Sequence, residues 1–176
     1  MQFILLKITQ GKSCDLMLAF RTLIALTILA SSSAIPAKLT KVDLDNFPSA
    51  RCLDGSPGAY YTQPSLSSDP KKYVFSLQGG GECTGLYDCT SRSQSDLGSS
   101  DHLALSLDIS SQRFLSQNEE ENPFWFDATH VRVAYCSGDI FSGDGTLNEE
   151  VGGLYFSGAR IIDAVVKEVS KGEIGR

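Results

Sequence analysis

The chain has 176 residues, enough for about one domain, and its 41% hydrophobic and 20% charged content is ordinary for a globular protein. A formal charge of −6, with no basic stripe to displace counterions from phosphates, argues against a nucleic-acid partner.

The first 34 residues read as a secretory signal peptide. Leu16 to Ala30 is apolar apart from Arg21, the core from Leu23 to Ala30 is too short to span a bilayer, and Ser32 and Ala34 supply the small residues of a cleavage site. Met17 offers an alternative start. Removal of this segment predicts a secreted chain with no stable membrane span. Cys14 would leave with it, and four cysteines would remain: Cys52, Cys83, Cys89 and Cys136. An even count in a secreted chain implies disulfides. Three connectivities are open, and the short separation of Cys83 and Cys89 favours that pair, leaving Cys52 with Cys136. No two of these cysteines are spaced as metal ligands and His102 and His130 are remote, so neither a metal nor another cofactor is expected.

Residues 35–50 form a polar lead-in, and Cys52-Leu53-Asp54-Gly55-Ser56-Pro57-Gly58 concentrates turn formers. Ala59 to Gln63 and Tyr73 to Leu77 read as strands, and the polar turn between them predicts a hairpin or meander. The second strand runs into Gln78-Gly79-Gly80-Gly81-Glu82-Cys83. Three glycines after a strand make either a flexible turn or a loop of exposed N–H groups able to hold a negative oxygen.

Leu86 to Gln94 suits a short helix, His102 to Asn122 has a weak pattern, and Glu119-Glu120-Glu121 reads as a solvated run. Phe124, Trp125 and Phe126 are expected to pack on the sheet or to rim a ligand pocket. His130 to Cys136 alternates as a strand, followed by a polar loop, Ser137 to Gly145, at the end where open α/β sheets bind ligands. Leu154 to Lys171 predicts an amphipathic helix stopped by Gly172, and a strand–loop–helix unit indicates an α/β fold.

Five motifs, in this order, resemble the pectin acetylesterase/Notum family: the Cys52–Pro57 turn, Gln78–Cys83, Glu121–Phe126, Tyr135–Gly143 and Phe156–Arg160. The resemblance covers roughly residues 50 to 172. It implies a secreted α/β-hydrolase-type carboxylesterase with a Ser-Asp-His triad, acting on an ester-bearing polysaccharide such as acetylated pectin or on an acylated protein. Matched residue by residue, the glycine loop puts oxyanion donors at Gly80 and Gly81.

The sequence also departs from that family. Glu82 stands where most members carry an aromatic residue, and the 176 residues contain no G-x-S-x-G elbow. The expectation is therefore the N-terminal half of a hydrolase sheet with its flanking helices, residues 51–176, with nucleophile, acid and base beyond Arg176 and no activity alone. Ser137 and Ser142 have no histidine near them in sequence, His130 at a strand start reads as structural, and Ser157 beside Gly158 reads as close packing. A triad of Ser142, His130 and Asp139 is accordingly not favoured. The alternative is a non-catalytic remnant that binds carbohydrate or acyl groups. A dinucleotide site is a poor fit, because the glycines do not follow G-x-G-x-x-G.

Overall fold

Alternating and β-branched residues carry five short segments into one sheet: β1 (Ala37–Lys41), β2 (Ala59–Gln63), β3 (Tyr73–Leu77), β4 (Ser106–Leu107) and β5 (Thr129–Val133). The computed structural model describes residues 35–67, 72–144, 146–148 and 152–174. The expected signal peptide, Met17 and Cys14 lie outside the described residues. The strand order is β3-β5-β2-β1-β4. β3 and β5 are parallel, in register from Tyr73↔Thr129 to Leu77↔Val133, and the other pairs are antiparallel.

The expected hairpin of β2 with β3 is not formed, because β5 lies between them. Burial explains the order. Four of the five residues of β5 are buried, so it needs cover on both faces and both edges, whereas β3 exposes Phe75 and Leu77 and suits an edge. The polar lead-in contains β1, paired on both sides by β2 and β4.

Each face of the sheet has its own cover. On one, Tyr60, Val131 and Val133 pack with Val42, Ala50, the Cys52–Cys136 disulfide and Ile161, Ala164 and Val165 of the last helix. On the other, Ala37, Ala59 and Tyr61 pack with Ile109 and Leu115. These come from the weakly patterned stretch, which covers the sheet through irregular chain and two short 3-10 turns, Ser100–His102 and Arg113–Leu115.

Two helices flank these layers, α1 (Gly85–Ser93) and α2 (Gly158–Ile174). The predicted last helix begins four residues late, because Leu154–Phe156 is a strand, β7, paired with β6 (Thr146–Asn148). It also runs through Gly172 rather than stopping there. A single glycine costs a helix only about 1 kcal/mol relative to alanine, too little to end one alone. Ala159 and Val166, expected on the apolar face, are exposed. Glu168 anchors the helix by accepting from the Asp43 N–H (2.8 Å). Burial and the nearby Glu168 carboxylate push the Tyr60 phenol up to about 12.

His130 is fully buried, with Nδ1 3.0 Å from Gln63 Oε1 and Nε2 2.8 Å from the Trp125 carbonyl. Burial holds the imidazole below its ordinary pKa. This side chain ties β5 to β2 and to the 122–128 turn. That turn leaves Phe124 and Trp125 exposed, so these aromatics do not pack on the sheet as expected. Replacing His130 with alanine is expected to cost about 2–4 kcal/mol of unfolding free energy by urea titration, from a cavity and from the acceptor left without the neutral ring's single N–H.

Candidate functional site

Parallel strands deliver their following loops to the same end of a sheet, so the glycine loop after β3 and the 134–144 loop after β5 meet. Four contacts hold them together. The Gln78 N–H donates to the Val133 carbonyl (3.1 Å), and the Tyr135 N–H donates to Gln78 Oε1 (3.4 Å). The Cys83 N–H donates to the Gly138 carbonyl (2.9 Å), and the Tyr135 hydroxyl donates to the Gly81 carbonyl (2.7 Å).

Between these ties the loop is one-sided. Gly79, Gly80, Gly81 and Glu82 are exposed, and among the described residues none of their backbone N–H groups donates a hydrogen bond. Three of their carbonyls face the protein: those of Gly80 and Gly81 accept from Arg92 Nη1 at 2.9 and 2.7 Å, and that of Glu82 accepts from Nη2 at 3.4 Å. A run of unpaired N–H groups on an open surface is a general means of binding an oxyanion. Glycine is required at two positions here. A Cβ on Gly80 would run into the Tyr135 ring, and Gly81 has φ of +69°, which disfavours other residues.

Helix α1 sits directly behind the loop. The Cys83–Cys89 disulfide joins the two, and Arg92, three residues past Cys89, lies on the same helical face. Both expected cysteine pairings are present, Cys83 with Cys89 and Cys52 with Cys136. At the start of α1, Asp88 accepts from the Thr84 N–H (2.8 Å) where Thr84's own side chain makes no cap.

The second loop is organised by Asp139. One carboxylate oxygen accepts from Ser137 Oγ (2.5 Å) and the Phe141 N–H (3.0 Å), and the other accepts from the Gly143 N–H (3.0 Å) and the Gly158 N–H at the start of α2 (2.8 Å). These bonds hold Ile140 and Phe141 at positive φ, 51° and 61°. The Ile140 N–H is thereby aimed at the Tyr135 hydroxyl (2.7 Å), and the Phe141 ring packs on that of Tyr135 at 4.9 Å between centroids. Tyr135 thus accepts from one loop and donates to the other, and burial raises its pKa.

Gly80 and Gly81, singled out from sequence, therefore lie together on the open side of the loop. Ser142, Asp139 and His130 form no triad. Ser142 Oγ donates to the Asp139 carbonyl (2.6 Å), the Asp139 carboxylate binds Ser137 and backbone N–H groups, and both ring nitrogens of His130 are engaged in the core. Ser157 is fully buried, donating to the Arg51 carbonyl (2.6 Å) and accepting from the Arg51 N–H (3.2 Å), as close packing requires. Among the described residues no group of histidine, cysteine, aspartate and glutamate could hold a metal, and no helix is long and apolar enough to cross a membrane. A polar hollow of about 240 Å³ near Asn46, Asp144 and Arg160 contains no part of the glycine loop.

Arg92, Tyr135 and Asp139 were not singled out as positioning groups from sequence. The signals were an arginine three residues beyond a cysteine on a helix and a tyrosine just before the strand-end loop. Replacing Asp139 with alanine leaves four donors without their acceptor. It is expected to lower the unfolding free energy by at least about 2 kcal/mol, measured by denaturant titration, with asparagine recovering part of the loss.

Comparison with known proteins agrees with this geometry. The pectinacetylesterase family model matches residues 30–175. A palmitoleoyl-protein carboxylesterase Notum of Schmidtea mediterranea is 36% identical over 149 residues, which are 82% of this chain and 28% of that protein. Pectin acetylesterase 11 of Arabidopsis thaliana is 28% identical over 84% of this chain and 37% of its own length. The solved structure of the Wnt deacylase Notum from Drosophila superposes with a TM-score of 0.66 at 32% identity, covering 81% of this chain and 40% of that one. The chain thus spans well under half the length of these relatives and carries the corresponding part of an α/β-hydrolase fold. With the family model matched across all of the described residues, this chain belongs to the pectinacetylesterase family.

Proposed function

We propose that this chain forms the oxyanion side of a secreted carboxylic-ester hydrolase, with Gly80 and Gly81 as donors and with nucleophile, acid and base supplied by sequence that the 176 residues do not contain. The observation that carries the reading is the run of undonated N–H groups from Gly79 to Glu82 at the carboxyl end of two parallel strands. In ester hydrolysis the carbonyl oxygen gains negative charge as the tetrahedral intermediate forms. Donors already fixed in place stabilise that charge without reorganising. The family relatives supply the substrate classes, an acetylated polysaccharide or an acylated protein. The two disulfides and the leader-like N-terminus support secretion.

A second reading, a non-catalytic binder of carbohydrate or acyl groups, draws on the missing G-x-S-x-G and on Glu82 in place of an aromatic residue. The two readings part experimentally. The 176-residue chain should take up no serine-directed phosphonate and should turn over p-nitrophenyl acetate barely or not at all, because a hole without a nucleophile leaves only residual catalysis. A covalent adduct on this chain would overturn the assignment of the nucleophile elsewhere.

In a gene product that includes the elbow, Gly81→Val should lower kcat by about two to three orders of magnitude on acetyl or longer acyl esters, with less effect on KM. Comparing the two ester lengths identifies the substrate class. Acetylpectin binding without hydrolysis by that longer product would favour the binding reading.

A further inference from the structure

We propose that Arg92 is the positioning residue of the glycine loop, fixing the Gly81 and Glu82 N–H groups outward by holding carbonyls from behind. The inference rests on the loop's reading as an oxyanion site but concerns how the loop is held. Its physical basis is the planar trans peptide, in which the carbonyl of one residue and the N–H of the next point in opposite directions. Holding the Gly80 carbonyl therefore fixes the Gly81 N–H, and holding the Gly81 carbonyl fixes the Glu82 N–H. The third contact, to Glu82, orients the Cys83 N–H, which donates to Gly138.

Without the clamp the Gly80–Gly81 peptide has no other hydrogen bond to its carbonyl among the described residues, and the Gly81–Glu82 peptide keeps only the one from Tyr135. Gly79 and Gly81 have open space where a Cβ would lie, and a glycine backbone visits positive and negative φ about equally. Tyr135 holds the Gly81 carbonyl from the second loop and packs against Gly80, but makes no hydrogen bond to the Gly80 or Glu82 carbonyl. A guanidinium suits the task because its planar fork can reach several carbonyls at once, whereas a lysine ammonium is a compact point charge on a flexible stem. The disulfide brings the helix that carries Arg92 against the loop, so the clamp and the covalent tie act from one face of α1.

The test uses the oxidised, ¹⁵N-labelled protein and three readouts: the thermal midpoint, the amide order parameters of Gly79 to Glu82, and amide shifts on titration with sodium acetate as a carboxylate probe. For Arg92→Ala we expect a midpoint within about 3 °C of the parent. The order parameter of Gly81 should fall from about 0.85 to below about 0.6, and that of Glu82, whose peptide Tyr135 still holds, by less. Added ethylguanidinium should restore them, and Arg92→Lys should give intermediate values. Where Arg92→Ala does not fold, the lysine variant decides alone, and values equal to the parent's overturn the proposal. Unchanged order in a folded Arg92→Ala protein overturns it as well. The acetate titration keeps the two readings apart. A parent loop whose Gly80 and Gly81 amides ignore acetate contradicts the oxyanion reading, while loosening in Arg92→Ala still supports the clamp. Acetate shifts that persist undiminished in a folded, unloosened Arg92→Ala protein leave the oxyanion reading standing and reject the clamp.

Discussion

Two parallel strands must release their chains at the same end of a sheet, and the register of β3 on β5 fixes where this happens: Leu77 and Val133 leave side by side. The rest of the site depends on that pairing. It sets the glycine loop against the Tyr135–Gly143 loop, so the short ties through Gln78, Cys83 and Tyr135 can form. Had β3 paired with β2 as a hairpin, the glycine loop would have been carried away from Tyr135.

The loop can stay open because its polar groups are divided between its two sides. Buried or inward-facing backbone groups are normally paired, and here the carbonyl side is satisfied by Arg92 and Tyr135 while the N–H side is left to solvent. A freely rotating glycine triplet would average its N–H directions and hold an anion poorly. Preorganisation therefore has to come from neighbouring elements: the disulfide to α1, the fork of Arg92, and a second loop stiffened by the Asp139 carboxylate. Asp139 also ties that loop to the first turn of α2, where a negative charge is favourable. The stiffness of the site thus passes into the face of the sheet packed by Ile161, Ala164 and Val165.

Much of this was legible in the sequence. Strands β2, β3 and β5, the short helix after the glycines and the cysteine pairs were readable because alternation, turn chemistry and loop length act locally. Pairing order was not, since the choice of β5 as β3's neighbour depends on burying all sides of Thr129 to Val133. The lead-in concealed β1 because Lys38 and Lys41 mask the alternation of Ala37 and Leu39, and its stability comes from two neighbours distant in sequence. Gly80 and Gly81 stood out because glycine marks special backbone. Arg92 did not, because an arginine in a short polar helix looks like any solvated side chain until the loop it holds is in view.

The most direct measurement of the central claim is a crystal structure of the protein with an alkylphosphonate monoester, whose charged tetrahedral oxygens resemble those of an ester-hydrolysis intermediate. A phosphonate oxygen about 2.7–3.1 Å from the backbone nitrogens of Gly80 and Gly81 is the expected result. A loop whose N–H groups have turned inward to bond the protein, with the phosphonate elsewhere or absent, would contradict it.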